Sequence, residues 1–180
     1  MPSIAALLHT KNDALRLGRC LETLYACDEI LVVDHGSRDG TVRIASEYGA
    51  RIVHVGPGDS FQQPPQVDLL EWILALDPRE SLTESLSASL FAWKSEWMTG
   101  LTVNSNSAQP TPGESKSSDA SELPAFSVFL REERVGGWGR ASAAQTRLVP
   151  ATWTAWHGHL PVHQPSAIAL RGELLRFAFP

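Results

Sequence analysis

Two acids stand where chemistry is most easily placed. Asp34 ends the apolar run Ile30-Leu31-Val32-Val33, and Asp77 ends Trp72-Ile73-Leu74-Ala75-Leu76. Each run is too short for a helix and suits a buried parallel strand. Open α/β sheets bind ligands at the carboxyl ends of their strands. Two acids on that edge can hold a ribose hydroxyl, a base or a divalent cation. After Asp34, the glycines of His35-Gly36-Ser37-Arg38-Asp39-Gly40-Thr41 permit a sharp turn. Asp39 is read as the cap of the next helix.

The elements that position these acids alternate strand and helix. Ser3 to His9 reads as a first strand, not as a signal peptide, because a basic leader and a cleavage site are missing. Ala14, Leu17, Leu21 and Leu24 recur at helical spacing. Strands are expected over 29–33, 51–55 and 72–76, and helices over 41–48 and 82–97. Trp93 and Trp97 of the last helix are read as core. This order calls for right-handed crossovers and a parallel sheet. The chain divides into an α/β part over 1–101, a Ser/Pro-rich flexible insertion over 102–123, and a further part of the same domain over 124–180. Within the last part, 126–130 and 168–170 read as strands. Gly136-Gly137-Trp138-Gly139 reads as a turn with one anchoring ring.

Composition narrows the function. With 180 residues, 43% hydrophobic content and a formal charge of −5, the chain suits a globular domain and not a general nucleic-acid binder. No apolar run approaches the roughly 20 residues that span a bilayer. Cys20 and Cys27 are expected to be reduced thiols, which gives a cytoplasmic location by default. His157, His159 and His163 do not read as a zinc site, since Gly158 and Pro161 break their regularity and no fourth ligand follows.

Several segments together resemble the family 2 glycosyltransferases of the GT-A fold, in particular the subgroup similar to lipopolysaccharide-core glucosyltransferases. They are Thr10-Lys11-Asn12-Asp13, Asp28-Glu29-Ile30, Asp34 through Thr41, Tyr48-Gly49-Ala50 and Glu71 through Glu80, with weaker likeness at Thr146-Arg147-Leu148 and Val162-His163-Gln164. The resemblance implies an α/β fold of GT-A type, a mainly parallel sheet flanked by helices, like that of nucleotide-diphospho-sugar transferases. It implies a nucleotide-sugar donor, such as a UDP-hexose, and a cell-envelope glycan or lipid-linked acceptor reached by peripheral membrane contact. Thr10, Asn12 and Asp34 would contact the nucleoside. Asp77 would open the Asp-x-Asp motif that holds Mg²⁺ or Mn²⁺ on the diphosphate. Asp77, Glu80 and His163 are the catalytic candidates.

The chain departs from that pattern at functional positions. Arg79 stands where the second acid of Asp-x-Asp is expected, and Gln164 where a glutamate follows the histidine. The segment before Trp72 carries Pro64-Pro65, and the chain is short for the family. Two readings follow. Either Arg79 replaces the metal and clamps the diphosphate itself, or the chain is an inactive GT-A-like nucleotide-binding or scaffolding module.

Overall fold

The computed structural model describes residues 1–56, 71–98 and 124–179. The flexible insertion expected over 102–123 and the Pro64-Pro65 segment lie outside the described residues. The first half follows the alternating pattern: β1 (Ile4–Thr10), α1 (Ala14–Leu21), β2 (Glu29–Asp34), α2 (Thr41–Glu47), β3 (Arg51–His54) and β4 (Trp72–Leu76). These four strands pair in parallel in the order β3-β2-β1-β4. All seven residues of β1 and all five of β4 are buried. A strand covered on both faces has no polar side to alternate with, which explains their unbroken apolar runs.

Beyond β4 the sheet becomes mixed. The helix expected from Leu82 is preceded by β5 (Glu80–Leu82) and starts at Glu84, as α3 (Glu84–Met98). Then come β6 (Phe126–Arg134), β7 (Gly137–Arg140), β8 (Gln145–Pro150), β9 (Trp156–His157), β10 (Leu160–Pro161) and β11 (Ile168–Arg176). β8 pairs antiparallel with β4 and β6, and β11 lies parallel to β6 and antiparallel to β5. Residues 124–179 therefore extend the sheet of the first half, and only β9 and β10 pair apart from it. Val135 and Gly136, the latter with φ of 98°, make the β6–β7 turn, and Trp138 is anchored edge-on to Phe177.

Two devices hold the halves together. The first is aromatic: Trp72 meets Trp93, Trp97 and Phe126 edge-to-face, with ring centroids 5.0–5.6 Å apart. Such pairs add about 0.5–1.5 kcal/mol each beyond their buried area. The second is ionic. Glu80 is fully buried, and its Oε1 accepts from Arg147 at 2.8 Å and Arg176 at 2.7 Å. Its Oε2 accepts the Asp77 N–H at 2.9 Å. Arg147 also reaches the Ala75 carbonyl and Gln145, and Arg176 reaches Glu132. One carboxylate thus ties the turn after β4 to β8 and β11. Removing one partner of a buried pair strands the other, at about 3–5 kcal/mol. Glu80→Gln is expected to lower unfolding free energy by that amount, read from the urea midpoint at unchanged slope.

Candidate functional site

Parallel pairing brings the carboxyl ends of β1, β2 and β4 to one edge, with Thr10 opposite Asp34 in register. A cleft of about 560 Å³ opens there, within the span of small-ligand sites. Its wall is built from His9, Thr10 and Lys11 at the end of β1, Asp13 and Arg16 at the start of α1, and His35 after β2. Asp77, Pro78 and Arg79 follow β4, and His159 comes from the β9–β10 turn.

The two loops that frame the cleft are locked to each other. Asn12 has φ 59°, a left-handed conformation that asparagine tolerates. Its N–H donates to Ser37 Oγ at 2.9 Å and its Oδ1 accepts the Arg38 N–H at 2.8 Å. Thr41 Oγ1 accepts the Asp13 N–H and donates to Asp39, while Asp39 also accepts the Thr41 and Ala14 N–H groups. Asp39 therefore serves the first turns of both α1 and α2. Asn12 acts in this structure as a loop tie, its amide oxygen already engaged.

Asp34 is likewise turned into its own loop. It is 2% exposed and accepts the Ser37 N–H at 3.1 Å, with His54 Nδ1 at 3.3 Å. Burial alone would raise its pKa, but bonds from Ser37, His54 and the Gly36 backbone outweigh burial and hold the carboxyl below its ordinary value. Its share of stability is present above the unfolded-state pKa and is lost as pH falls through the lower folded value. Asp34→Asn is expected to flatten the acid limb of the stability profile, measured as urea midpoint against pH.

Charge at the cleft centres on Asp77. Both of its oxygens accept from the Arg79 guanidinium in a fork at 2.9 Å, and Oδ1 also takes the Arg79 N–H. Burial raises the Asp77 pKa, but the bonds and charge of Arg79 more than offset this and leave the carboxyl below its ordinary value. A divalent cation of the Mg²⁺ or Mn²⁺ kind needs several open oxygen ligands. The acid offered is already neutralised by a fixed internal cation, and the second acid is absent, so these residues do not fit that metal. The cations Lys11, Arg16 and Arg79 outnumber the carboxylates Asp13 and Asp77. Two buried polar atoms on the wall, Thr10 Oγ1 and Arg16 Nε, have no hydrogen-bond partner among the described residues. Buried donors are normally paired, so both are exceptions to the usual pattern.

The structure places two of the catalytic candidates off the cleft wall. Glu80 is the buried ion-pair hub described above, 0% exposed and absent from the cleft wall, with its charge committed to Arg147 and Arg176. His163 is exposed and off the cleft wall, and Gln164 docks its N–H on Thr146 Oγ1 at 2.8 Å. The histidine that does reach the cleft is His159, four residues earlier, together with His9 and His35. A chain reading had no way to align three residues from such distant segments. The one signal was His9, polar at the end of an apolar strand. Cys20 and Cys27 are free thiols, and burial pushes Cys27 up to about 12.

Residues 6–57 match the family model described as glycosyl transferase family 2. An uncharacterized glycosyltransferase of Rickettsia felis is 37% identical over 93 residues, covering 48% of this chain and 32% of that protein. The lipopolysaccharide core biosynthesis glycosyltransferase LpsC of Rhizobium meliloti is 40% identical over 45 residues, 25% of this chain and 17% of that one. The chain thus spans a third or less of the length of these relatives. Among solved structures, S. aureus TarS superposes with a TM-score of 0.50 at 13% identity, over 84% of this chain and 29% of that chain. The chain resembles family 2 glycosyltransferases in sequence, and its α/β fold is of GT-A type.

Proposed function

We propose that the cleft binds the diphosphate of a nucleotide sugar, with Arg79 supplying the positive charge that a metal supplies elsewhere, and that the chain takes part in glycosyl transfer from such a donor. The observation that carries this is the Arg79–Asp77 fork beside Lys11, Arg16 and the unpartnered Thr10 Oγ1. A guanidinium held on its own carboxylate is oriented in advance, and its remaining N–H donors match two phosphate oxygens. Charge developing on a departing nucleoside diphosphate would be met by these fixed cations without reorganisation. Thr10 Oγ1 donates to the same group. Asp34 reaches the nucleoside once His54 turns away from it, and Asn12 keeps the two loops in place.

The donor is read as a UDP-sugar and the acceptor as a glycan or lipid-linked sugar of the cell envelope, in line with the name of LpsC. Among the described residues, no helix is long and apolar enough to cross a membrane. Direct attack by an acceptor hydroxyl requires a base. Asp77, acidified by Arg79, is the cleft carboxylate nearest that role and a weak one. The pairing of Asp77 and Glu80 with arginines favours a second reading, a nucleotide-binding module that does not transfer sugar.

Calorimetry with UDP and UDP-glucose separates the cases. UDP is expected to bind equally well in EDTA and in Mn²⁺, and Arg79→Ala to weaken it by about ten- to a hundredfold, the loss of a charge-assisted pair. Binding that appears only with Mn²⁺ contradicts the guanidinium reading, and no binding of any nucleotide rejects both. Donor binding without hydrolysis or transfer selects the non-catalytic module.

A further inference from the structure

Three of the chain's six histidines meet at the mouth of the cleft, one from the end of β1, one from the loop after β2 and one from the β9–β10 turn. His9 Nδ1 lies 2.9 Å from His35 Nε2, and the rings of His9 and His159 stack at 4.0 Å. One ring nitrogen from each of the three can be chosen so that all lie within 4.8 Å of one another. We propose that His9, His35 and His159 form a three-imidazole site for a zinc-class transition-metal ion, with a fourth coordination position open to the cleft.

One of the three distances is already close to that required. Zn–N bonds of about 2.0–2.1 Å set the ligand nitrogens about 3.3 Å apart at the corners of a tetrahedron. The His9–His35 pair is within a few tenths of an ångström of that edge. Both are held by backbone: His9 ends a buried strand and is itself 8% exposed, and the His35 N–H donates to the Thr10 carbonyl at 2.9 Å. His159 is the adjustable ligand. It sits on a two-residue turn beside Gly158, whose φ is 59°, so its exposed ring can swing toward the other two. Two preset ligands and one movable ligand make a site that closes on the ion.

The donor set selects the metal. Neutral imidazole suits zinc, cobalt, nickel and copper, whereas Mg²⁺ and Mn²⁺ prefer oxygen. Three histidines with one open position is the arrangement of catalytic rather than structural zinc. The site is built from imidazoles and not from the Asp77 carboxylate, and it stands whether or not the cleft takes a nucleotide.

Cobalt(II) is the probe, titrated into the metal-stripped full chain without nucleotide and followed by visible absorption. One equivalent is expected to saturate, with the intense bands of tetrahedral cobalt, and to be displaced by Zn²⁺ but not by Mg²⁺. His35→Ala and His159→Ala should each weaken binding by at least about tenfold, the size of lesser outer-shell losses. Both residues lie in turns, and circular dichroism reports that the variants keep the fold. His157→Ala, two residues from His159 and off the cleft, should leave binding unchanged. Weak octahedral bands, or an affinity that neither His35→Ala nor His159→Ala alters, would overturn the proposal.

Discussion

The buried carboxylate of Glu80 is the interaction on which the rest of the site depends. Its two oxygens are shared among Arg147, Arg176 and the Asp77 N–H. A lone buried acid would be prohibitively costly, and so would a lone Arg147 at 1% exposure. Together they are tolerated because nearly every donor and acceptor is used. The consequence is geometric. The turn after β4 is drawn against β8 and β11, so Asp77 and Arg79 present one fixed arrangement to the cleft. The turn after β4 and two strands far along the chain, β8 and β11, converge on that one group.

This frame explains why the cleft carries a guanidinium where the family pattern carries an acid. The backbone around Asp77 is set by Glu80, which leaves Arg79 two residues on with a short path back to the Asp77 oxygens. The resulting pair removes the negative potential that would attract a hard cation. It leaves the wall with an excess of positive charge, supplied by Lys11, Arg16 and Arg79. The histidine cluster in the same cleft has a different chemistry, nitrogen donors in place of oxygen.

Much of the parallel half was legible in the chain. β4 lies where its apolar run predicts, β1 is shifted by one residue, and β2 and β3 differ from expectation by one residue at one end. The tryptophans of α3 pack against the core as their spacing suggested. β8 carries Gln145, Thr146 and Arg147 in its first half, which gives no apolar strand signal, and the burial of Arg147 is matched by its pair with Glu80. β5 is three residues long, below any periodic signal. Two catalytic candidates lie off the cleft wall for related reasons. Glu80 has the right chemistry for a base, and only the tertiary structure shows that it is buried on two arginines. The C-terminal histidine was placed at His163 by motif likeness, whereas the turn at Gly158 brings His159 to the cleft. Asn12 and Asp34 were seen as important, and the structure makes them ties between loops before they are anything else.

The central claim is that a guanidinium fixed on Asp77 stands in the place of a metal for a diphosphate ligand. A crystal structure of the chain grown with UDP and Mn²⁺, with anomalous data collected for manganese, tests it most directly. The account predicts phosphate oxygens within hydrogen-bonding distance of Arg79 and Thr10 Oγ1, and no anomalous peak between Asp77 and the diphosphate. A manganese peak on the Asp77 carboxylate, with Arg79 swung out of the cleft, would contradict it.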